Sequence, residues 1–155
     1  MPIVINNTLT QIRSVAMGGG DRSPRAKRLA ELIQKLGDYR WVGIYDVGFE
    51  SASILAWIGL GAPAHPSFPL DQGLAAAAIQ EKRAVIVGDV RNDPRYLTVF
   101  EDTLSEIVVP VLSPAGGRVI GTVDVESDQP NAFADSDRRM IDQCAQAALP
   151  LWLLR

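Results

Sequence analysis

The chain has 155 residues, of which 47% are hydrophobic and 21% are charged, and its net charge is −3. This composition predicts one soluble globular domain with a buried core, spanning residues 1–155. The acidic charge gives no basic surface for nucleic acid, and no apolar run approaches the roughly 18 residues that a membrane span needs. We expect a cytoplasmic protein with neither nucleic-acid nor membrane partners. Cys144 is the only cysteine, which excludes an internal disulfide.

The N-terminal part, residues 1–37, is predicted to be helical. Thr8–Met17 has a helical pattern, and three glycines follow it as a linker. Ser23 as N-cap and Pro24 in the first turn indicate the start of a second helix, which we expect to end at Gly37.

The segment that follows is predicted to contribute strands, a loop and a helix. Tyr39–Val47 and Ser53–Ile58 are typical of two antiparallel strands. The three prolines and two glycines of Gly59–Pro69 predict a loop. A short alanine-rich helix over Asp71–Glu81 and a buried strand over Ala84–Val87 come next.

The last part begins with Arg91–Ser105, which is expected to be mostly loop with one helical turn after its proline. Ile107–Leu112 and Val119–Val125 then indicate a β-hairpin. Asp135–Trp152 is an amphipathic helix, capped by its first or second residue, whose last turn is disturbed by Pro150. This order of elements predicts an α+β fold in which helices pack on one face of a central antiparallel sheet.

Each strand of the hairpin carries one acidic residue where its pattern calls for an apolar one. Alternate side chains of a strand point to the same face, so Glu106 lies with Val108, and Asp124 lies with Thr122. We expect Glu106 and Asp124 to project into the same space. A carboxylate in apolar surroundings costs several kcal/mol unless a donor, a cation or water accompanies it. The pair therefore predicts a pocket with a negative lining.

Five segments of the chain resemble, in the same order, the GAF domain, a small-molecule-binding module of many bacterial sensor proteins. The segments are WVGIYDV at Trp41–Val47, FPLDQGLAAAAIQEKRAVIVGDV at Phe68–Val90, DPRY at Asp93–Tyr96, SEIVVPVLSPAGGRVIGTVDVES at Ser105–Ser127 and NAFADSDRRMIDQCAQA at Asn131–Ala147. The resemblance implies that both terminal helices pack on the back of the sheet, where such helices often form a dimer. It also implies pocket loops at Gly59–Pro69 and Arg91–Ser105 on the front face. The expected division is N-terminal helices in 1–37, sheet and pocket loops in 38–134, and a C-terminal helix in 135–155.

Within this family, the chain looks most like the free methionine-R-sulfoxide reductases. Those enzymes carry a cysteine in a Gly-x-Cys-Gly-Thr-Ala motif, which matches Gly73–Ala78, with Ala75 in place of the cysteine. A second family cysteine falls within Tyr96–Glu101, where this chain has no cysteine and carries Val99. The resemblance therefore implies that the reductase cysteines are missing.

The resemblance also implies ligand-binding residues. In the reductases a matching tryptophan, glutamate and aspartate help to hold the free amino acid, which maps onto Trp41, Glu106 and Asp124. Tyr45 shares the strand face of Trp41, and an aromatic wall adds about 0.5–2 kcal/mol to the binding of a cation. His65, the only histidine, is either a pocket-lining residue or a plain loop residue. The alternative for the acids is a structural one, in which they bond loop amides or hold a turn.

These observations favour a stand-alone GAF-type sensor module without catalytic residues or cofactor, homodimeric, and acting through a downstream signalling protein. Its expected ligand is small and amino-acid-like or amine-bearing. The first alternative is an enzyme like the free methionine-R-sulfoxide reductases, disfavoured by Ala75 and Val99. The second is an accessory dimerisation module whose pocket is filled by side chains. A metal site is not expected, because His65 has no partner histidine or cysteine around it.

Overall fold

Six strands form one sheet in which every pairing is antiparallel. In this computed structural model, which describes residues 2–115 and 117–153, the order across the sheet is β3-β2-β1-β6-β5-β4. The strands are β1 (Trp41–Val47), β2 (Ser51–Ile58), β3 (Ser67–Pro69), β4 (Val85–Val87), β5 (Ser105–Leu112) and β6 (Val119–Ser127). Strands β5 and β6 form the predicted hairpin, and β6 lies beside β1 in the centre of the sheet.

The described residues contain five α-helices beside the sheet. They are α1 (Pro2–Met17), α2 (Arg22–Gly37), α3 (Gly73–Glu81), α4 (Asp135–Ala147) and α5 (Pro150–Leu153). In the part of the chain that the structure describes, no helix is both long and apolar enough to cross a membrane.

The back of the sheet carries the larger core. Every second side chain along each strand points to this face, among them those of Val42, Ile107 and Val123. Side chains of α1, α2, α4 and α5 cover them, and Cys144 is fully buried there as a small hydrophobic residue. Full burial of a valine or isoleucine side chain contributes about 1.5–3 kcal/mol to the stability of the fold. Both terminal helical regions thus lie on one face, as predicted.

The front of the sheet carries a second, smaller cluster. Trp41, Tyr45 and Val108 occupy the alternate strand positions, so their side chains point to this face. Leu74 and Ala75 of α3 and residues of the connecting loops pack onto them. The predicted α+β fold is therefore confirmed, and α3 is the one helix that lies with the loops on the front. The division of the chain into residues 1–37, 38–134 and 135–155 stays a prediction.

Two details of the loops differ from the predictions. Within Gly59–Pro69, expected to be loop throughout, Ser67–Pro69 pairs with β2 as a short edge strand. An edge position tolerates Pro69, because its missing N–H faces no partner strand. The helical turn expected after Pro94 lies before it, at Val90–Asn92, where the Asp89 carboxylate accepts a hydrogen bond from the Arg91 N–H at 3.1 Å.

The helix ends also differ. α1 begins at Pro2 rather than Thr8, and the N-cap of α2 is Asp21 rather than Ser23. The N-cap of α4 is Ala134, whose N–H is satisfied by the Asp137 carboxylate at 2.8 Å. The predicted single C-terminal helix is interrupted after Ala147 and resumes as α5 at Pro150, because proline has no N–H for the preceding turn but suits a first helical position.

Candidate functional site

The hairpin places three carboxylates, rather than two, on the front face. Glu106 lies directly opposite Glu126, and Asp124 lies opposite Val108. Directly paired residues share a face, and so do residues two apart on one strand, so all three side chains point the same way. Paired Cβ atoms in such a ladder are about 5 Å apart, and like charges there repel each other. We call Glu106, Asp124 and Glu126 the acidic cluster.

Strand β1 places its aromatic residues beside this cluster. Trp41 pairs with Glu126, and Gly43 pairs with Asp124. A Cβ atom on Gly43 would lie only 2.3 Å from the ring of Trp41, so the missing side chain is what lets the indole lie along the strand next to Asp124. The indole Nε1 of Trp41 donates a hydrogen bond to the carbonyl of Gly61 at 3.0 Å.

The acidic cluster is almost completely buried. The exposed fractions of Glu106, Asp124 and Glu126 are 4%, 5% and 1%. Two loops cover the cluster, residues 59–66 and residues 88–104. We call the second of these, residues 88–104, the cover loop. The hydroxyl of Tyr96, in the cover loop, donates to Oε1 of Glu126 at 3.2 Å and accepts from the backbone N–H of Val99 at 3.3 Å.

Burial leaves part of the cluster without partners. Oδ1 of Asp124, Oε2 of Glu126 and the hydroxyl oxygen of Thr122 are buried and make no hydrogen bond within the described residues. No ion pair in residues 2–115 and 117–153 includes a member of the cluster. The described residues also contain no group of three or more acidic, histidine or cysteine side chains arranged to hold a metal ion. Unpartnered buried carboxylates are costly, which marks the cluster as a site for a donor or a cation.

The carboxyl groups respond to this burial by holding protons. Burial raises the pKa of Asp124 to about 7. Burial raises the pKa of Glu126 to about 8, against the hydroxyls of Thr103 and Tyr96. The pKa of Glu106 lies well above its usual range because of burial, with the charges of the other two acids adding to the rise. Near neutral pH the cluster can therefore exchange protons for a bound cation.

Two cavities touch the cluster from different sides. The first has a volume of about 20 Å³, which is room for about one water molecule. It is lined by Tyr45, His65, Phe68, Gly73, Leu74, Ala75, Leu97, Val99, Glu106 and Asp124. The second, of about 210 Å³, is lined by Arg40, Trp41, Leu60, Phe100, Asp102, Thr103 and Glu126.

The residues predicted to line one pocket are divided between the two cavities. Tyr45, Glu106 and Asp124 line the smaller cavity, and Trp41 lines the larger one. His65 is an exposed residue at the rim of the smaller cavity.

The two positions at which the resemblance places reductase cysteines, Ala75 and Val99, both face the smaller cavity. Cys144 lies in the core on the back of the sheet, where burial raises the pKa of its thiol to about 12. The chain therefore presents no thiolate to the acidic cluster.

A more open cavity, of about 810 Å³, lies between α4 and the β4 edge of the sheet. None of its charged side chains is buried, and its arginines already have partners. Arg83 pairs with Glu81, Arg95 with Asp93, and Arg138 with Asp135 and Asp142. It lacks the unsatisfied polar atoms of the acidic cluster, which makes the cluster the stronger candidate for a binding site.

The sequence interpretation missed Glu126, Tyr96 and Thr103. A signal for Glu126 was present, because it follows Asp124 by two residues and so must share its face. Tyr96 and Thr103 lie in a loop, where no periodicity indicates which side chains turn toward the sheet.

Comparison with known proteins adds a family and close structural relatives. A family model described as the GAF domain matches residues 21–148. GAF domain-containing protein A of Dictyostelium discoideum is 28% identical over 137 residues, which cover 88% of this chain and 85% of that protein.

Two solved structures of free methionine-R-sulfoxide reductases are also similar. The type II enzyme of Thermoplasma acidophilum is 32% identical, with a TM-score of 0.75, and the match covers 84% of this chain and 94% of that one. The enzyme of Neisseria meningitidis, solved in complex with its substrate, is 26% identical, with a TM-score of 0.83 and coverage of 96% and 88%.

Proposed function

Because the chain belongs to the GAF domain family of small-molecule-binding and sensor modules, we propose that its acidic cluster binds a small ligand bearing an ammonium group. One observation carries this proposal. Oδ1 of Asp124 and Oε2 of Glu126 are buried without a hydrogen-bond partner, in a cluster of three carboxylates.

An ammonium group matches this site in charge and in hydrogen bonding. It carries three donors and no acceptor, so it can satisfy both unpartnered oxygens at once. Its positive charge also favours the ionised form of each carboxyl group, which lowers the pKa values that burial has raised. The rings of Trp41 and Tyr45 add a cation–π contribution of about 0.5–2 kcal/mol.

An amino-acid-like ligand is the form of amine that the comparisons support. The Neisseria meningitidis protein is a free methionine-R-sulfoxide reductase, and it shares this fold over 96% of this chain. Trp41, Glu106 and Asp124 occupy the positions that the family resemblance assigns to holding a free amino acid. We expect His65, at the rim of the smaller cavity, to contact the remainder of such a ligand.

The smaller cavity, which Glu106 and Asp124 line, is too small for an amino acid, because about 20 Å³ holds a single water. Binding therefore requires the cover loop to move. The competing function is an accessory module whose cavity is permanently filled by its own side chains. That function predicts that no amine binds.

We propose that the protein binds its ligand without transforming it by thiol chemistry. Sulfoxide reduction of the reductase type needs a thiolate that attacks the sulfur. Alanine and valine stand at the two cavity positions, and the single thiol lies on the other side of the sheet. As a binding module, the protein would pass its signal to a downstream protein, and we expect it to act as a homodimer in the cytoplasm.

Calorimetric titration and thermal melting with three related probes test the proposal. The probes are methionine, its deaminated analogue with only the carboxylate, and its decarboxylated analogue with only the amine. Methionine and the amine should stabilise the protein, by about 2.7 kcal/mol at a hundredfold their dissociation constants, and the deaminated analogue should not.

Asp124→Asn should abolish most of this shift, while Asp135→Asn, on the exposed start of α4, should leave it unchanged. Equal binding of the deaminated analogue, or an unchanged shift in Asp124→Asn, would show that the cluster is not an ammonium site.

A further inference from the structure

The cover loop is fixed at its base, and further along it Tyr96, Leu97 and Phe100 pack against the front cluster of the sheet. Its two ends are tied together by a hydrogen bond from the Val90 N–H to the Leu104 carbonyl at 2.8 Å. Its ion pairs Asp89–Arg91 and Asp93–Arg95 are both internal to the loop, so they stiffen it without attaching it to the sheet.

The later part of the loop makes the attachments that close the site. The Phe100 ring contacts Trp41 edge-on, with ring centres 5.4 Å apart. Two residues further on, the carboxylate of Asp102 pairs with the guanidinium of Arg40, which immediately precedes β1. This segment thus reaches the sheet beside the larger cavity, whose lining includes Arg40, Phe100 and Asp102.

Arg40 is itself anchored on the sheet side. One guanidinium nitrogen pairs with Asp102 of the cover loop, and the other pairs with Asp128, which follows β6. A planar guanidinium that is held by one carboxylate presents its other nitrogen in a fixed direction. We propose that Arg40 is a positioning residue that holds the cover loop closed over the acidic cluster. Asp128 fixes the guanidinium on the sheet side, and Asp102 joins it to the loop; we call this arrangement the latch.

The latch lies at the larger cavity, whose lining includes Arg40 and Asp102, but within the described residues it makes no hydrogen bond to the acidic cluster. The contacts of Tyr96 with Glu126 and of Phe100 with Trp41 face the cluster and its cavities. The Arg40–Asp102 pair is at the surface, with side-chain exposures of 31% and 59%. Breaking it therefore changes how often the loop opens while leaving the cluster intact. An exposed pair of this kind shifts such an equilibrium about two- to fivefold.

That the enclosed space binds a ligand rests on the proposed function. The effect of the latch on loop opening can be measured without any ligand. Hydrogen exchange of the full chain, followed by mass spectrometry, reports the opening of residues 96–104. Asp102→Asn should raise their exchange rate about two- to fivefold. Arg91→Gln, which removes an equally exposed pair internal to the same loop, should leave it unchanged. Raising the salt to about 1 M should screen the pair and accelerate exchange in the wild type but not in Asp102→Asn.

Unchanged exchange in Asp102→Asn, or an equal rise in Arg91→Gln, would overturn the latch. Peptides from β1 and β6 should exchange at the wild-type rate in both variants, which separates loop opening from a general loss of stability. Methionine then serves as the probe for the binding site itself. Accelerated exchange together with no methionine binding to the wild type would refute the proposed function while the latch stands.

Discussion

The indole Nε1 of Trp152, in α5, donates a hydrogen bond to the backbone carbonyl of Tyr45, in β1, at 3.2 Å. The two residues lie on opposite sides of the sheet, since Trp152 belongs to the back core and the Tyr45 side chain lines the front cavity. Gly121 makes the contact possible, because a Cβ atom there would lie 2.2 Å from the indole ring. The C-terminal helix is thereby attached to the strand residue that faces the candidate ligand.

We predict that Gly121→Ala destabilises the fold by about 1–3 kcal/mol, the usual cost of overpacking, because the new methyl group displaces Trp152. Urea denaturation measures the change in free energy of unfolding. Gly19→Ala is the matched control, since a Cβ atom at Gly19 meets nothing within 4 Å. A Gly121→Ala protein as stable as the control would contradict the tight contact.

The faces of the sheet could be predicted because successive side chains along a strand point alternately to its two faces. Alternation placed Glu106 and Asp124 on the front, together with Trp41 and Tyr45, and the structure agrees. The same period, extended by two residues, would have included Glu126. The predicted strand stopped at Val125 because an acid and a serine follow it, although β6 continues to Ser127.

The cover of the site could not be predicted from local pattern. Tyr96 meets Glu126, 30 positions away, and Arg40 meets Asp102, 62 positions away, only after the chain has folded. The short strand at Ser67–Pro69 likewise forms only because Ser51–Ser53 offers it a partner. Tertiary contacts, rather than propensity, decide such elements.

We predict a homodimer that forms through the terminal helices. Ile3 and Val4 of α1 and Leu153 of α5 are exposed, whereas Ile12 of α1 and Leu151 of α5 are buried in the back core. Exposed apolar groups of this kind mark an association surface. Light scattering at micromolar concentration should give about twice the chain mass of 16.8 kDa. Val4→Glu should shift the protein toward monomer. Phe49→Glu, at an exposed apolar site outside these helices, should leave the dimer unchanged. A monomeric wild type would exclude the dimer.

We also predict no thiol-dependent reduction of free methionine-R-sulfoxide. The cavity positions Ala75 and Val99 carry no sulfur, and the Cys144 thiol is buried behind the sheet with its pKa raised to about 12. Methionine formation with dithiothreitol as reductant should not exceed that of a protein-free blank. Turnover that disappears in Cys144→Ser would assign chemistry to this thiol, and turnover that survives the substitution would reveal a mechanism without cysteine.

The acidic cluster gives the ligand-free protein an unusual dependence of stability on pH. In the unfolded chain Asp124 and Glu126 lose their protons near pH 3.8 and 4.5, whereas in the folded protein their pKa values are about 7 and 8. Between about pH 4 and 8 the folded state thus binds more protons than the unfolded state. The free energy of unfolding must therefore fall as the pH rises through this window, by about 1.4 kcal/mol per pH unit for each proton.

We expect urea denaturation to show a loss of about 6 kcal/mol between pH 5 and pH 8, to which Asp124 and Glu126 each contribute about half. Asp124→Asn and Glu126→Gln should each flatten this slope, because a neutral amide neither gains nor loses the proton. Asp135→Asn should keep it, since ion pairs with Arg138 and Arg139 lower the pKa of Asp135 and place its titration below the window. Methionine, whose ammonium replaces the lost protons, should stabilise the protein more at pH 8 than at pH 5. Stability that stays constant or rises across this range would mean that the carboxylates are ionised and satisfied within the folded chain, leaving no charge for a ligand to neutralise.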